Sequence, residues 1–290
     1  MTLVTLKDVL QPALQQGYAV GGLVCLGWEE TRAYVAAAEA ENCSVILQAG
    51  PGCRAHTPLP VLGKMFRSLA ETAPVPVVAH LDHGYSYGEC SEALDSGFTS
   101  LMFDGSRKPL AENIAQTRQI VELAQQAGIS CEGEIGFVGY AGGEASAGTD
   151  PEDAATFAAE TGVDAMAISV GNVHLQQDKE GRLDEQRIAK IQAKTNVPLV
   201  IHGGSGVPVA QRRKLAQSTN ICKFNIGTEL RMAFGAALRV AVNADPDRFD
   251  RVAILKETHD PVEAAARVVL RNLRGKSRDW LQHARMQPDC

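Results

Sequence analysis

The sequence has no excess of basic residues and no long apolar segment. Its 28 lysines and arginines are outnumbered by 34 aspartates and glutamates, so the net charge is −6 and the pI is near 5.7. Nucleic acids and acidic membranes usually bind basic surfaces, and this composition argues against both partners. No run approaches the roughly 18 apolar residues that a membrane span requires, and no cleavable apolar stretch follows the polar N-terminus. We therefore expect a soluble protein of the cytoplasm.

Aromatic residues and paired cysteines are also scarce. Aromatics make up 5% of the chain, so the core must be mostly aliphatic. The seven cysteines form no Cys-x-x-Cys pair, and they are scattered over positions 25, 43, 53, 90, 131, 222 and 290. Such a distribution indicates reduced thiols and excludes a disulfide framework or a zinc ribbon. Because no Pro/Gly/Ser-rich linker divides the 290 residues, we expect one domain spanning 1–290.

One pattern repeats along the chain: a short apolar run, a turn and a segment of helical periodicity. The runs predict eight strands at 18–25, 44–48, 77–81, 99–103, 130–135, 163–170, 197–201 and 221–226. Helices are predicted at 28–41, 110–127, 154–160, 184–194 and 209–216, with two more at 228–242 and 261–273. Alternating strands and helices imply parallel pairing, and eight units favour an α/β fold of the (β/α)₈ TIM-barrel type with extra C-terminal helices. A doubly wound open sheet is the competing architecture.

Four histidines follow the predicted strands, where a barrel places its active site. His80 and His83 end strand 3, His174 comes shortly after strand 6, and His202 ends strand 7. Any one of them alone is better explained as an ordinary hydrogen-bonded histidine. Three imidazoles converging on one barrel mouth predict a catalytic divalent site, with zinc as the default ion. Strand alternation does not choose between His80 and His83, because His83 lies where the predicted strand breaks into a loop.

Carboxylates occupy the same strand ends. Asp82 is interpreted as a helix cap, as a group supporting the metal ligands or, beside a metal, as a proton-transfer group. Asp104 and Glu134 are interpreted as groups that orient the imidazoles or form an alternative metal position. Alternation places Glu132 and Glu134 on one side of strand 5.

Two glycine-containing loops near the end of the chain predict a phosphate site. The string HGGSG at 202–206 follows strand 7, and NIGT at 225–228 follows strand 8 and opens a helix. Glycines let backbone N–H groups approach an anion, and helix N-termini favour negative charge. TIM barrels often bind phosphate with the loops after these two strands.

Together these strings resemble the class II fructose-bisphosphate and tagatose-bisphosphate aldolases. The resemblance runs from YAVGG at 18–22 to the C-terminal helices and includes HLDH at 80–83, MFDGS at 102–106, EGEIG at 132–136, HGGSG at 202–206 and NIGTELR at 225–231. It implies a lyase that reversibly cleaves a ketose 1-phosphate or 1,6-bisphosphate to dihydroxyacetone phosphate and an aldehyde through a zinc-stabilised enediolate. It also implies a homodimer or homotetramer.

The resemblance implies a role for individual residues. One Zn²⁺ per chain would be held by His83, His174 and His202. Asp82 would exchange a proton with the C4 hydroxyl, and Glu144, in a loop that is shorter than usual, would move the enolisation proton. The phosphorylated half would contact Gly203, Gly204, Ser205, Asn225, Gly227 and Thr228. Arg231 matches a position that can bind the distal phosphate, and it is equally well explained as a surface arginine.

Three departures from the family pattern bear on the substrate. Val24 replaces an asparagine, and Gly227 replaces the aspartate of fructose-specific members or the alanine of tagatose members. Leu175 replaces a glycine that lines the phosphate and the site of a monovalent cation, K⁺ or Na⁺. A non-phosphorylated or otherwise substituted acceptor aldehyde is therefore an alternative. Further alternatives are a metal-dependent barrel hydrolase or epimerase and a catalytically silent homologue. Lys223 is interpreted as a structural residue or as one that supports the metal ligands, which disfavours an imine mechanism.

Overall fold

A computed structural model describes residues 2–274, so Cys290 and the end of the predicted domain lie outside the described residues. Eight parallel strands form a closed barrel in which each strand pairs with the next and β8 pairs with β1. This confirms the predicted TIM barrel and excludes the open sheet. The strands are β1 Val20–Val24, β2 Val45–Ala49, β3 Val77–Gly84, β4 Ser100–Phe103, β5 Ser130–Ile135, β6 Ala165–Ile168, β7 Leu199–Ile201 and β8 Ile221–Ile226.

Helices surround the barrel, and three of them follow β8 in the described part of the chain. The helices are α1 Leu6–Gln16, α2 Trp28–Ala40, α3 Pro51–His56, α4 Leu59–Thr72, α5 Tyr87–Asp95, α6 Leu110–Gln126, α7 Pro151–Thr161, α8 Glu185–Gln192, α9 Val209–Ser218, α10 Thr228–Ala244, α11 Arg251–Lys256 and α12 His259–Leu273. Each helix predicted from periodicity is present, with its ends shifted by a few residues. The predicted C-terminal helices are α10 and α12.

Strand β3 is longer than predicted and irregular at its end. Its pairing with β4 shifts register between Leu81 and Gly84, and His83 adopts a φ of 54°. The left-handed region costs a non-glycine residue about 1 kcal/mol or more, so surrounding contacts must hold His83 there. The prediction of a loop at His83 was therefore wrong, because a bulged strand continues through this position.

The helix α1 closes the N-terminal end of the barrel. Thr5 and Asp8 form a capping box at its start. The buried Leu6 and Leu10 pack against the lower barrel residues Val20, Ile46, Val78, Ala165, Ala167, Val200 and Cys222. Because apolar side chains fill this end, the polar interior residues described below lie toward the opposite, C-terminal mouth.

The helix α12 packs along α2 through a buried carboxylate. Glu41, 4% exposed, follows α2 and pairs with Arg267, Arg271 and Arg274. These contacts tie the C-terminal helices to the barrel wall beside β1.

The described residues include six of the seven cysteines. The six cysteines among them are all free, and most are buried. Within residues 2–274, no helix combines the length and the apolar character that crossing a membrane requires.

Candidate active site

Three of the predicted histidines meet at the C-terminal mouth of the barrel. His83 lies at the bulged end of β3, His174 in the loop after β6, and His202 directly after β7. One ligand atom from each lies within 4.8 Å of the other two. The ring centroids of His83 and His202 are 4.7 Å apart, and those of His83 and His174 are 5.3 Å apart.

Two buried polar atoms beside these rings have no hydrogen-bond partner among the described residues. They are Nδ1 of His202 and Oε2 of Glu134, which lie 3.5 Å apart. Buried acceptors that face each other without a donor are costly, and a cation between them satisfies both. Imidazole nitrogens with a carboxylate oxygen nearby fit a divalent ion such as zinc.

Asp104 and Glu134 lie beside His83. Oδ2 of Asp104 accepts a hydrogen bond from Nδ1 of His83 at 2.9 Å, which leaves Nε2 of His83 as its free ligand atom. Burial opposes a charge on His83, but Asp82, Asp104 and Glu134 together raise its pKa to about 10. Burial and the charge on His83 lower the pKa of His174 to about 4. Without a metal, the site therefore favours a protonated His83. His83, Asp104 and Glu134 form a second group that could hold a metal.

His80 lies deeper in the barrel than the three histidines. Its side chain is fully buried, and its Nδ1 contacts Oγ of Ser100 at 2.8 Å. Its Nε2 accepts from Nζ of Lys223, an ammonium that also donates to Glu132 at 2.6 Å. An ammonium fixed in this way is not a free nucleophile, which agrees with the structural interpretation of Lys223.

Asp82 is held by two amides, one of which the sequence interpretation overlooked. Its Oδ1 accepts from Nε2 of Gln48 at 2.8 Å and from Nδ2 of Asn225 at 3.2 Å. Oδ2 of Asp82 makes no hydrogen bond within residues 2–274. The amide oxygens of Gln48 and Asn225 are themselves buried without partners among residues 2–274. Burial opposes ionisation of Asp82, but the nearby imidazoles and Lys223 lower its pKa below the usual value. Gln48 was recognisable as the polar residue that ends an apolar run.

Arg54, whose side chain is 7% exposed, supports the irregular end of β3. The guanidinium of Arg54 donates to the backbone carbonyls of Ala49 and Asp82 at 2.6 Å and to that of His83 at 2.8 Å. It also pairs with Glu89 at 2.7 Å. Arg54 therefore holds the backbone that carries Asp82 and His83, a role that no sequence motif indicated.

The two glycine loops lie side by side. Gly203 has a φ of 65°, and a Cβ there would lie 2.2 Å from the carbonyl oxygen of Val173, so only glycine fits. The segment Gly204–Gly206 forms a 3-10 turn. Oγ of Ser205 accepts from the N–H groups of Gly227 and Glu229, each at 3.3 Å. Ser205 thus joins the loop after β7 to the N-terminus of α10, where Thr228 begins the helix. Asn225, predicted as a phosphate contact, has its side chain turned toward Asp82.

Leu175 keeps the backbone conformation of a glycine. Its φ is 60°, and its side chain is 47% exposed. The backbone beside His174 therefore takes the left-handed form that glycine adopts readily, although the residue has changed.

The structure does not bring Glu144 to the three histidines. Its Oε2 pairs with Nη2 of Arg107 at 2.7 Å, and both side chains are more than half exposed. The segment around it is a hairpin closed by an antiparallel bridge between Phe137 and Ala147. Tyr140 of this hairpin stacks on His174, with ring centroids 4.9 Å apart. The sequence interpretation missed this contact, because tyrosine in a glycine-rich loop carries no distinguishing signal.

Arg231 and Gly227 are in close contact. A Cβ on Gly227 would lie 2.9 Å from Nη2 of Arg231 and 3.1 Å from the side chain of Val24. Nε of Arg231 is buried without a hydrogen-bond partner among the described residues. Beyond Arg231 lies a cavity of about 860 Å³ bounded by α2, α4, α10 and α11. Arg231, whose Nε has no partner within residues 2–274, thus lies between the barrel mouth and this cavity.

Comparisons with known proteins identify the family of the chain. The chain matches the family described as class-II fructose-bisphosphate aldolase over residues 4–278. It is 37% identical to a fructose-bisphosphate aldolase of Geobacillus stearothermophilus over 91% of this chain and 94% of that protein. The crystal structure of the YdjI aldolase from Escherichia coli K12 has a TM-score of 0.81 and 30% identity, covering 95% of this chain and all of that one. A fructose-bisphosphate aldolase structure from Campylobacter jejuni, at 21% identity and a TM-score of 0.77, shares the fold. The chain belongs to the class-II fructose-bisphosphate aldolase family.

Proposed function

We propose that this protein cleaves a ketose 1-phosphate or 1,6-bisphosphate reversibly to dihydroxyacetone phosphate and an aldehyde. One observation carries the proposal: Asp82 presents Oδ2 beside three histidines that fit a divalent ion, with unpaired amide oxygens of Gln48 and Asn225 next to it. Unpaired buried acceptors suit a ligand rich in hydroxyl groups.

In this proposal His83, His174 and His202 hold one zinc ion, and Asp104 and Glu134 orient the ligands or hold an alternative position. When bound, the ion supplies a Lewis acid that stabilises the negative charge of the enediolate. The protein's own residues determine the position of the ion. Asp104 fixes the His83 ring, and the bulge of β3 turns that ring toward His202.

Asp82 moves the proton of the C4 hydroxyl. As the C3–C4 bond breaks, Oδ2 of Asp82 takes the hydroxyl proton, the aldehyde leaves, and the electron pair stays on the triose fragment. Gln48 and Asn225 orient the carboxylate by binding its other oxygen. A second group must then return a proton to the triose carbon, and Glu144 is the proposed donor. Glu144 must leave Arg107 to do so, and the exposure of that ion pair keeps it weak.

The phosphate of the triose half binds between the two glycine loops. Gly203, Gly204 and Ser205 provide one side, and Gly227 and Thr228 at the N-terminus of α10 provide the other, near Asn225. The helix α10 has seventeen residues, so its N-terminal N–H groups favour an anion. Leu175 has the backbone conformation of the glycine that it replaces, so the proposal includes a monovalent cation, K⁺ or Na⁺.

Arg231 binds the far end of the substrate. Nε of its guanidinium has no partner within residues 2–274 and suits a distal phosphate, and the cavity beyond it also leaves room for an acceptor aldehyde with another substituent. Val24 and Gly227 offer no polar side chain toward C4, so we expect weak discrimination between the fructose and tagatose epimers.

A second copy of the chain completes the proposed assembly, a homodimer or homotetramer. The helix α10 is rich in apolar residues but buries only Leu230 and Ala241, while Val240 and Val242 are exposed. An apolar helix face of this kind supports association. Location in the cytoplasm is also part of the proposal.

A panel of ketose 1-phosphates and 1,6-bisphosphates tests the proposed function by following release of dihydroxyacetone phosphate. We expect cleavage of at least one bisphosphate, abolished by chelation and restored by zinc. A zinc-loaded protein that cleaves no member of the panel, in either direction, would contradict the proposal.

A further inference from the structure

A series of buried polar contacts lies beneath the three histidines and joins four strands to His202, which follows β7. Glu132 on β5 and Lys223 on β8 form an ion pair of 2.6 Å in which neither side chain has any exposed area. Oε1 of Glu132 lies 3.2 Å from Nε2 of His202. At the other end, Nζ of Lys223 lies 3.1 Å from Nε2 of His80, whose Nδ1 contacts Ser100 at 2.8 Å. The contacts thus run from β4 through β3, β8 and β5 to His202 after β7.

The chemistry of these groups determines the direction of each hydrogen bond. An ammonium only donates and a carboxylate only accepts. His80 must therefore accept at Nε2 and donate from Nδ1 to Ser100. His202 must carry its hydrogen on Nε2, toward Glu132, which leaves a lone pair on Nδ1. Nδ1 of His202 is the buried atom without a partner that faces Glu134.

Lys223 also offsets the free-energy cost of burying the charged carboxylate of Glu132. An uncompensated carboxylate inside a barrel is strongly destabilising, whereas one paired at 2.6 Å and hydrogen-bonded at its other oxygen is not. With Lys223 bound to Oε2, the orientation of Glu132 is fixed and Oε1 is directed at His202. His80 and Ser100 in turn hold the ammonium from the opposite side.

We propose that Lys223 is a positioning residue for the metal site, acting through Glu132 to keep the metal-facing nitrogen of His202 free of hydrogen. The inference rests on the proposed metal site and adds to it the groups that select the tautomer of one ligand. Partners of this kind contribute about 10- to 100-fold to metal affinity.

The decisive comparison is between Glu132→Gln and the double variant Glu132→Gln/Lys223→Met. In Glu132→Gln, Lys223 still only donates, so it binds the carbonyl of the new glutamine and turns the amino group toward His202. His202 must then place its hydrogen on Nδ1, against the ion. We expect zinc affinity to fall about 100-fold. Removing Lys223 as well frees the glutamine to present its carbonyl, so the double variant should recover about tenfold.

Zinc affinity is measured by competition with a chelating indicator, and the Co²⁺ absorption spectrum reports ligand geometry independently of activity. Glu41→Gln is the matched control, because it neutralises another buried carboxylate held by cations far from the histidines. It should lower the melting temperature and leave zinc affinity and the Co²⁺ spectrum unchanged. If Glu132→Gln does not fold, the double variant is compared with the wild type, and a loss of about tenfold with an altered Co²⁺ spectrum is expected.

Three results would overturn the inference. In the first, the Glu132 variants bind zinc with wild-type affinity. In the second, the double variant binds zinc no more tightly than Glu132→Gln. In the third, Glu41→Gln loses as much zinc affinity as Glu132→Gln does. If the wild type itself binds no zinc, the proposed metal site fails and the inference fails with it. Tight zinc binding by the wild type and both variants alike refutes only the role of Lys223.

Discussion

The contact between Gly227 and Arg231 predicts that one methyl group changes substrate preference. In Gly227→Ala the new Cβ would lie 2.9 Å from Nη2 of Arg231, so the guanidinium must move. The cost in stability should be small, because the end of a flexible side chain moves, the side chain of Val24 gives way only slightly, and residue 227 has a negative φ of −133°. The variant should therefore fold normally while its Arg231 is displaced.

The expected magnitude follows from the charged hydrogen bond that is lost. A hydrogen bond to a charged group contributes about 2 kcal/mol, which corresponds to about 30-fold in kcat/KM. Arg231→Ala should therefore lower kcat/KM for fructose 1,6-bisphosphate about 30-fold and leave fructose 1-phosphate unaffected. Gly227→Ala should reproduce part of this loss. The two substitutions combined should cost no more than Arg231→Ala alone, because both act on the same group.

The assay is the initial rate of dihydroxyacetone phosphate release from both substrates and from the tagatose epimer. Arg118→Ala, which removes an exposed arginine of α6, is the charge-matched control and should change nothing. Losses that multiply in the double variant, or that appear equally with the 1-phosphate, would refute the link between the two residues. A thousandfold or greater preference for the fructose epimer would show that residues other than Val24 and Gly227 discriminate at C4.

Further predictions concern the metal and the two proton-transfer groups. His202→Ala should lose both bound metal and activity, and full activity in metal-free protein would contradict the mechanism. Asp82→Ala should keep its metal while cleavage falls about 10²-fold or more and hydrogen exchange of dihydroxyacetone phosphate survives better; an equal fall in both would exclude a role specific to C4. Glu144→Ala should show the reverse pattern, with exchange reduced most, as measured by deuterium incorporation. Carboxylates raise the pKa of His83 to about 10, so below that pH zinc must displace one proton in order to bind. The zinc affinity, measured by chelator competition, should therefore rise up to tenfold per pH unit between about pH 6 and 9. An affinity independent of pH in this range would contradict that pKa.

The sequence predicted the barrel because its signals are local and repeated. Each strand is an apolar run followed by a turn, and closure of eight such units brings polar strand ends together whatever the detail of each loop. His83, His174 and His202 could therefore be grouped without a structure. Separating His83 from His80 needed more, because the bulge after Leu81 depends on pairing with β4 and on the contacts of Arg54, which lie far along the chain.

Loop and interior contacts were less accessible to sequence reasoning. Glu144 pairs with Arg107 from another loop, and no pattern within the segment 137–147 predicts that partner. Lys223 was expected to be structural or to support the metal ligands, but its contact with Glu132 depends on two strands facing each other across the closed barrel. Such pairs are determined by the register in which the barrel closes, and this register depends on all eight strands together.

The bulge at the end of β3 has a consequence for transplanting this site. In a regular strand, neighbouring side chains point to opposite faces, so adjacent residues could not both serve one cavity. Here Asp82 and His83 do, and the guanidinium of Arg54 secures the backbone that allows it. If the histidines and the aspartate were copied onto an idealised eight-stranded scaffold, the adjacent aspartate and histidine would therefore point to opposite faces of the strand and could not serve one site. The irregular strand and its arginine must be grafted together with them.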